Sequence, residues 1–143
     1  MVGVEGVGAA GLPYGPLELP RHDDPSLAIW QMLESITDPE IPVLSLREIG
    51  VLRAIRQTKQ ASWQVFITPT YIGCPALSQM ANDLQDRLQT EGIHAEVITS
   101  HAPAWSSDWI SASGLDKLRQ YGIAPPGRSA AEPSFQTMSR LAN

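Results

Sequence analysis

Apolar residues recur along this chain at two different spacings, and the switches between them outline its elements. Leu27, Trp30, Leu33 and Ile36 fall three residues apart, a stripe along one helix face. Asp24-Pro25 just before them forms a helix start, with Asp24 as N-cap and proline at the first helical position, where a missing N–H is no loss. This helix is predicted to run to about Thr37. Asp38-Pro39-Glu40-Ile41-Pro42 then stops it, because each proline pushes its predecessor out of helical geometry. The result is a stiff extended loop presenting two carboxylates, Asp38 and Glu40. Residues 48–55 read as a first strand, with Ile49, Val51, Ala54 and Ile55 in the core. Gly50 breaks that strand and marks a bulge or a close backbone approach.

The polar stretch 57–60 predicts a turn into a second strand, antiparallel to the first, whose body is Trp63-Gln64-Val65-Phe66-Ile67. After a loop, Leu77, Met80, Leu84 and Leu88 form a second helical stripe, closed by Gly92 as a C-terminal cap. Residues 93–100 alternate again and make a third strand. Strand, helix and strand in succession form a right-handed βαβ crossover, so the second and third strands should be parallel. Leu115 and Leu118 mark a last short helix ending at Tyr121-Gly122, and Pro125-Pro126 ends the ordered part. The expected fold class is α/β: a small two-layer sandwich with a short mixed sheet covered by helices. Residues 24–126 form one domain, with flexible tails at 1–23, rich in Gly and Pro, and at 127–143.

Composition narrows the function classes. At 143 residues with 43% hydrophobic and 17% charged, the chain can bury a real core. A net charge of −5 argues against a sequence-independent nucleic-acid binder, which needs a basic surface to displace counterions. No apolar run approaches the length of a membrane span, and no Lys or Arg precedes Arg21 to start a signal peptide. A single cysteine excludes an intrachain disulfide and fits a cytoplasmic protein.

That cysteine sits at the strand-to-helix turn Thr68-Pro69-Thr70-Tyr71-Ile72-Gly73-Cys74-Pro75. With Pro75 at the first helical position, Cys74 is the N-cap, where free N–H groups and the helix dipole favour a thiolate. The same residue could equally be a small buried hydrophobe. In a parallel arrangement the loops at the carboxyl ends of the strands share one edge, where ligands bind. Thr70, Cys74 and the 101–109 segment leave strands at that edge. His101 is there as well, but a lone histidine at a strand end is more often a surface residue, and neither His22 nor His94 has a visible partner. No serine sits on a nucleophile elbow. Trp105, Trp109 and Tyr121 either cover the sheet edge as core or anchor a partner protein.

Five separated blocks carry a resemblance. Asp38-Pro39-Glu40-Ile41-Pro42-Val43, Glu48-Ile49-Gly50-Val51-Leu52-Arg53 and the Thr68-to-Pro75 turn resemble the iron–sulfur-cluster-assembly-like small domain family. With Trp105-Ser106-Ser107-Asp108-Trp109-Ile110 and the 118–126 block, they look closest to its PaaD branch, of the bacterial phenylacetyl-CoA oxygenase system. The resemblance covers about residues 25–126. It implies the α/β fold above and a cytoplasmic accessory protein, not an enzyme, that assembles or inserts iron–sulfur clusters for the oxygenase's reductase component. Matched by position, the implied site is Cys74 as the metal or sulfur ligand, lined by Asp38, Glu40 and Thr70.

The branch usually continues into a cysteine-rich C-terminal segment, whereas no cysteine follows Cys74 here. One thiolate cannot complete a cluster that normally takes four, so the cluster would be transient. A bridged homodimer, small thiols or an oxygenase or reductase client would supply the other ligands. Two further readings stand beside this one: a scaffolding subunit of the oxygenase complex with no metal role, and a thiol enzyme for which no base is evident.

Overall fold

The hairpin and the crossover set the frame. In a computed structural model, which describes residues 12–122, three strands form one sheet: β1 (Leu52–Gln57), β2 (Trp63–Ile67) and β3 (Ala95–Thr99). β2 lies in the middle, antiparallel to β1 and parallel to β3. The small α/β fold with a mixed sheet is therefore as the sequence predicts. Four helices accompany it: α1 (Leu27–Leu33), α2 (Leu46–Ile49), α3 (Leu77–Thr90) and α4 (Ala112–Gln120). Alternation along β2 sends Val65 and Ile67 to one face, where they pack with Leu33 of α1 and Met80, Leu84 and Leu88 of α3. Ile41 and Leu44, from the loop after α1, are fully buried in the same core.

Several expectations need correcting. α1 ends at Leu33, four residues short of Thr37. Residues 36–38 instead fold back on residues 44–46: Leu46 N–H donates to the Ile36 carbonyl, and Asp38 N–H to that of Leu44. Asp24 holds the entry turn rather than the helix itself, since its carboxylate accepts the N–H and hydroxyl of Ser26 at 2.8 and 2.7 Å. The strand expected at 48–55 starts only at Leu52. Residues before it form α2, built by a capping box in which Ser45 Oγ accepts the Glu48 N–H and the Glu48 carboxylate accepts the Ser45 N–H. Gly50 closes α2 in the left-handed conformation, with φ 86°, and makes the close approach expected of it, against Trp109, while the bulge lies between Leu52 and Ala54.

The outer sheet face is the other correction. Ala54, Phe66 and Ile98 make a small second cluster there, and Leu12 covers it. Arg53 holds this covering segment through Nη2, which donates to the carbonyls of Pro13 and Gly15 at 3.1 and 2.7 Å. Arg47 reaches the Leu17 carbonyl at 2.8 Å. A loose tail reaching to residue 23 is thus not what these residues form, because an uncovered Phe66 and two buried guanidiniums give residues 12–17 something to bind. The expectations for residues 1–11 and 123–143 lie outside the described residues.

Candidate functional site

The loop from β2 to α3 leaves the sheet beside the start of β1, where Thr68 N–H donates to the Val51 carbonyl. It turns at Gly73, whose φ of 83° suits glycine, and Cys74 N–H closes the turn on the Tyr71 carbonyl. Pro75 and Ala76 form a lead-in turn, so regular α3 begins at Leu77 and Cys74 stands one turn before it. Cys74 is only 7% exposed. Burial raises its thiol above the ordinary value; the Ala76 N–H and Thr70 hydroxyl pull the other way, and the nearby Glu40 and Asp38 carboxylates add to the rise. The expectation that the helix start favours a thiolate is therefore reversed in sign: an N–H does reach the sulfur, but burial outweighs it. In the isolated chain the sulfur is a neutral thiol at pH 7.

The fold does bring the four matched residues together. Thr70 Oγ1 is buried against the sulfur and, like Thr68 Oγ1, makes no aligned hydrogen bond among the described residues. The Thr70 hydroxyl, held against the sulfur, can turn its hydrogen toward an incoming atom. Asp38 is not presented to solvent, as the extended-loop expectation had it, but is 2% exposed. Its Oδ1 accepts the N–H groups of Glu40 and Ile41 at 2.6 and 3.1 Å, which shapes the loop. Burial dominates those two bonds and pushes Asp38 up to about 6. Among the described residues, no three His, Cys, Asp or Glu side chains converge as a ready metal site. The donor set is one thiol with the Thr70 hydroxyl and two carboxylates near it, which fits one corner of a shared ligand set and not a complete cluster site.

A stability consequence follows from Asp38. Its folded value lies above the ordinary 3.8, so the native chain holds the extra proton between pH about 4 and 6, and stability falls as pH rises through that window. Asp38→Asn should draw level with the wild type near pH 4 and lead it by about 2 kcal/mol at pH 7. Urea midpoints across this range check it, and two parallel curves would mean that Asp38 titrates as an ordinary carboxylate.

The aromatic candidates divide. Trp109 is 4% exposed, with the Arg53 guanidinium 4.0 Å from its ring centroid, so it is interior and offers a partner nothing to touch. Trp105 is half-buried, its indole N–H donating to the Ile49 carbonyl at 2.8 Å. Tyr121 is 68% exposed, and Ile72, at the tip of the cysteine loop, is 81% exposed. Sequence reasoning passed over Ile72, although its place between Tyr71 and Gly73 in the site loop was a usable signal. His22, His94 and His101 are exposed and lie outside the thiol's surroundings.

A profile of the family described as iron–sulfur cluster assembly protein matches residues 27–97, the stretch holding Asp38, Glu40, Thr70 and Cys74. The chain belongs to that family. Over 99 residues it is 38% identical to a putative subunit of the 1,2-phenylacetyl-CoA epoxidase of Escherichia coli (strain K12). That match takes in 68% of this chain but 59% of the relative, so it spans less than two thirds of that protein's length. The resemblance to the PaaD branch is met by this relative. A solved domain of unknown function, DUF59, from Bacillus anthracis superposes with a TM-score of 0.59 at 24% identity, covering 64% of this chain and 89% of its own. A conserved hypothetical protein from Thermotoga maritima gives 0.52 at 18% identity, covering 71% and 98%. At such identities these two speak to the fold alone, and they agree with a small α/β domain. No described helix is long and apolar enough to cross a membrane.

Proposed function

We propose that this iron–sulfur cluster assembly family member is a cytoplasmic accessory protein that takes part in building or passing on a cluster, with Cys74 as its ligand. The observation that carries the reading is the grouping of the chain's one thiol with Thr70, Asp38 and Glu40 at the strand-to-helix turn. A thiol that stays protonated until a metal takes the place of its proton suits brief handling better than storage. Thr70 supports this, because its hydroxyl already lies against the sulfur and can donate to the thiolate once the proton leaves. The remaining ligands come from outside: a second copy, small thiols or the client. The chain is not an enzyme on this reading, and the cluster is its cargo.

The client follows from the relative's name. A protein 38% identical to a phenylacetyl-CoA epoxidase subunit is best read as serving the same oxygenase system in phenylacetate degradation, delivering to its reductase component. Ile72, beside the thiol, and Tyr121 supply exposed apolar surface for the contact. Anaerobic reconstitution with iron and sulfide tests the ligand role. Wild type should develop thiolate-to-iron absorption that Cys74→Ser loses; identical spectra from both would end it.

The low exposure and protonated state of Cys74 favour a second reading, a subunit that helps the oxygenase complex assemble without touching metal. Size-exclusion runs with the oxygenase components separate the two. A scaffold binds equally well as wild type and as Cys74→Ser.

A further inference from the structure

The outer sheet face carries a charge that the fold leaves partly unanswered. Arg53 is 1% exposed, and no carboxylate pairs with it among the described residues. The segment 12–17 satisfies only one corner of its guanidinium: both carbonyls, of Pro13 and Gly15, go to Nη2. The guanidinium stacks on the Trp109 ring, but its Nε and Nη1 have no hydrogen-bond acceptor among the described residues. Burial alone pulls Arg53 down to about 10. Orphaned N–H groups on a buried cation are unfavourable, and a carboxylate relieves what neutral carbonyls do not, because its two oxygens span Nε and Nη2 in one fork.

The surroundings suit a chain segment better than a small ion. Arg53 belongs to the wall of a cleft of about 360 Å³, with Pro13, Leu17, Trp30, Ala54 and Arg56. Arg56 lies over Phe66 at 5.3 Å and adds a second cation. Of the two acids on this wall, Asp24 is engaged by Ser26, and Glu18 acts on Arg47. Leu12, two residues before Tyr14, fills the apolar spot made by Ala54, Phe66 and Ile98. An extended peptide with an apolar residue and backbone oxygens already lies here, so the face has the shape of a peptide site. None of the cleft's residues is Asp38, Glu40, Thr70 or Cys74, so nothing here depends on the cluster reading.

We infer that this face is a docking site for an acidic segment of a partner protein, and that residues 12–17 are its exchangeable occupant. The partner segment displaces them, seats an apolar side chain on Phe66, and places a carboxylate on Nε and Nη2 of Arg53.

The test uses the full chain and a probe copied from residues 12–16: the blocked pentapeptide Leu-Pro-Asp-Gly-Pro, with aspartate where the chain has Tyr14. Its control carries asparagine at that place. Binding is read from the Nε–Hε resonance of Arg53 and from Trp109 fluorescence. The aspartate peptide should bind saturably, and the asparagine peptide about tenfold more weakly, the discrimination expected of a charge-assisted pair. Arg53→Met, checked for fold by circular dichroism, should lose that preference. Equal binding of the two peptides, no binding of either, or an unchanged preference in Arg53→Met overturns the inference. So does a response to malonate that the peptide cannot match, since the face would then take a small acid and not a chain segment.

Discussion

Replacing Gly50 with alanine should destabilise the protein by about 3 kcal/mol, adding the left-handed backbone penalty to an overpacking term. Gly50 ends α2 at φ 86°, where an L side chain is strained. A Cβ built there would sit 2.7 Å from Trp109 Cβ and 3.1 Å from both Trp105 Nε1 and the Trp109 carbonyl. Backbone and Cβ atoms cannot swing aside as a side-chain tip does, so the 105–109 segment would have to lift. That would strain the bond from Trp105 to the Ile49 carbonyl and the stacking of Arg53 on Trp109. Gly92→Ala is the internal control: its φ is 74°, yet nothing lies within 4 Å of a Cβ there. It should lose only about 1 kcal/mol, the backbone part. Thermal unfolding of both variants separates strain from collision, and equal losses would mean that Trp109 yields freely.

Glu48→Ala should be comparably damaging, at about 3 kcal/mol, because it empties a buried site and leaves the donors that converge on its carboxylate without their acceptor. The Glu48 side chain is 4% exposed, with its Oε1 2.9 Å from Lys117 Nζ and its Oε2 accepting from Ser113 Oγ at 2.8 Å. It also takes the Ser45 N–H, and its own carbonyl takes that of Ser111, so α2 and α4 are joined through one residue. Burial raises its pKa, but Lys117, the Ser45 N–H and Ser113 together outweigh that and hold it below the ordinary 4.5. Its contribution is therefore present above pH 4.5 and lost as pH falls through the lower folded value. Glu48→Gln, which keeps hydrogen bonding without the charge, should fall between wild type and alanine at pH 7 and close on wild type in acid. Lys117 is 41% exposed and regains water when its partner goes, while Ser45 Oγ still caps the residue-48 N–H, so most of the alanine loss comes from the emptied space and from the Ser45 N–H and Ser113 hydroxyl left without their acceptor. Denaturant midpoints at neutral and acid pH test both statements. A pH-independent gap between Glu48→Gln and wild type would remove the charge from the account.

The two buried carboxylates among the described residues thus respond to acid in opposite senses. Asp38 loses favour as pH rises through 6, Glu48 as pH falls below 4.5. Both are buried acids, and neither sign can be read from residue type. Lys117 stands 69 positions after Glu48, so the ion pair that decides its sign is invisible to any local pattern. α2 is different: Ser45-Leu46-Arg47-Glu48 is a capping-box sequence in plain view. The apolar spacing around it also has the period of a strand, and a four-residue helix is too short for period alone to settle.

The chain's own order of residues determined the hairpin, the parallel return through α3, and a lone thiol in the turn that leads into that helix. These are local or near-local properties: alternation, a three-to-four stripe, glycine and proline at the ends. The tertiary structure alone decided that Cys74 is a thiol and not a thiolate, that Asp38 faces inward, that Trp109 is interior, and that residues 12–17 cover the sheet. Each of those depends on groups far apart in sequence. Burial and the field of neighbouring charges are sums over everything nearby in space, and spacing along the chain does not contain those sums.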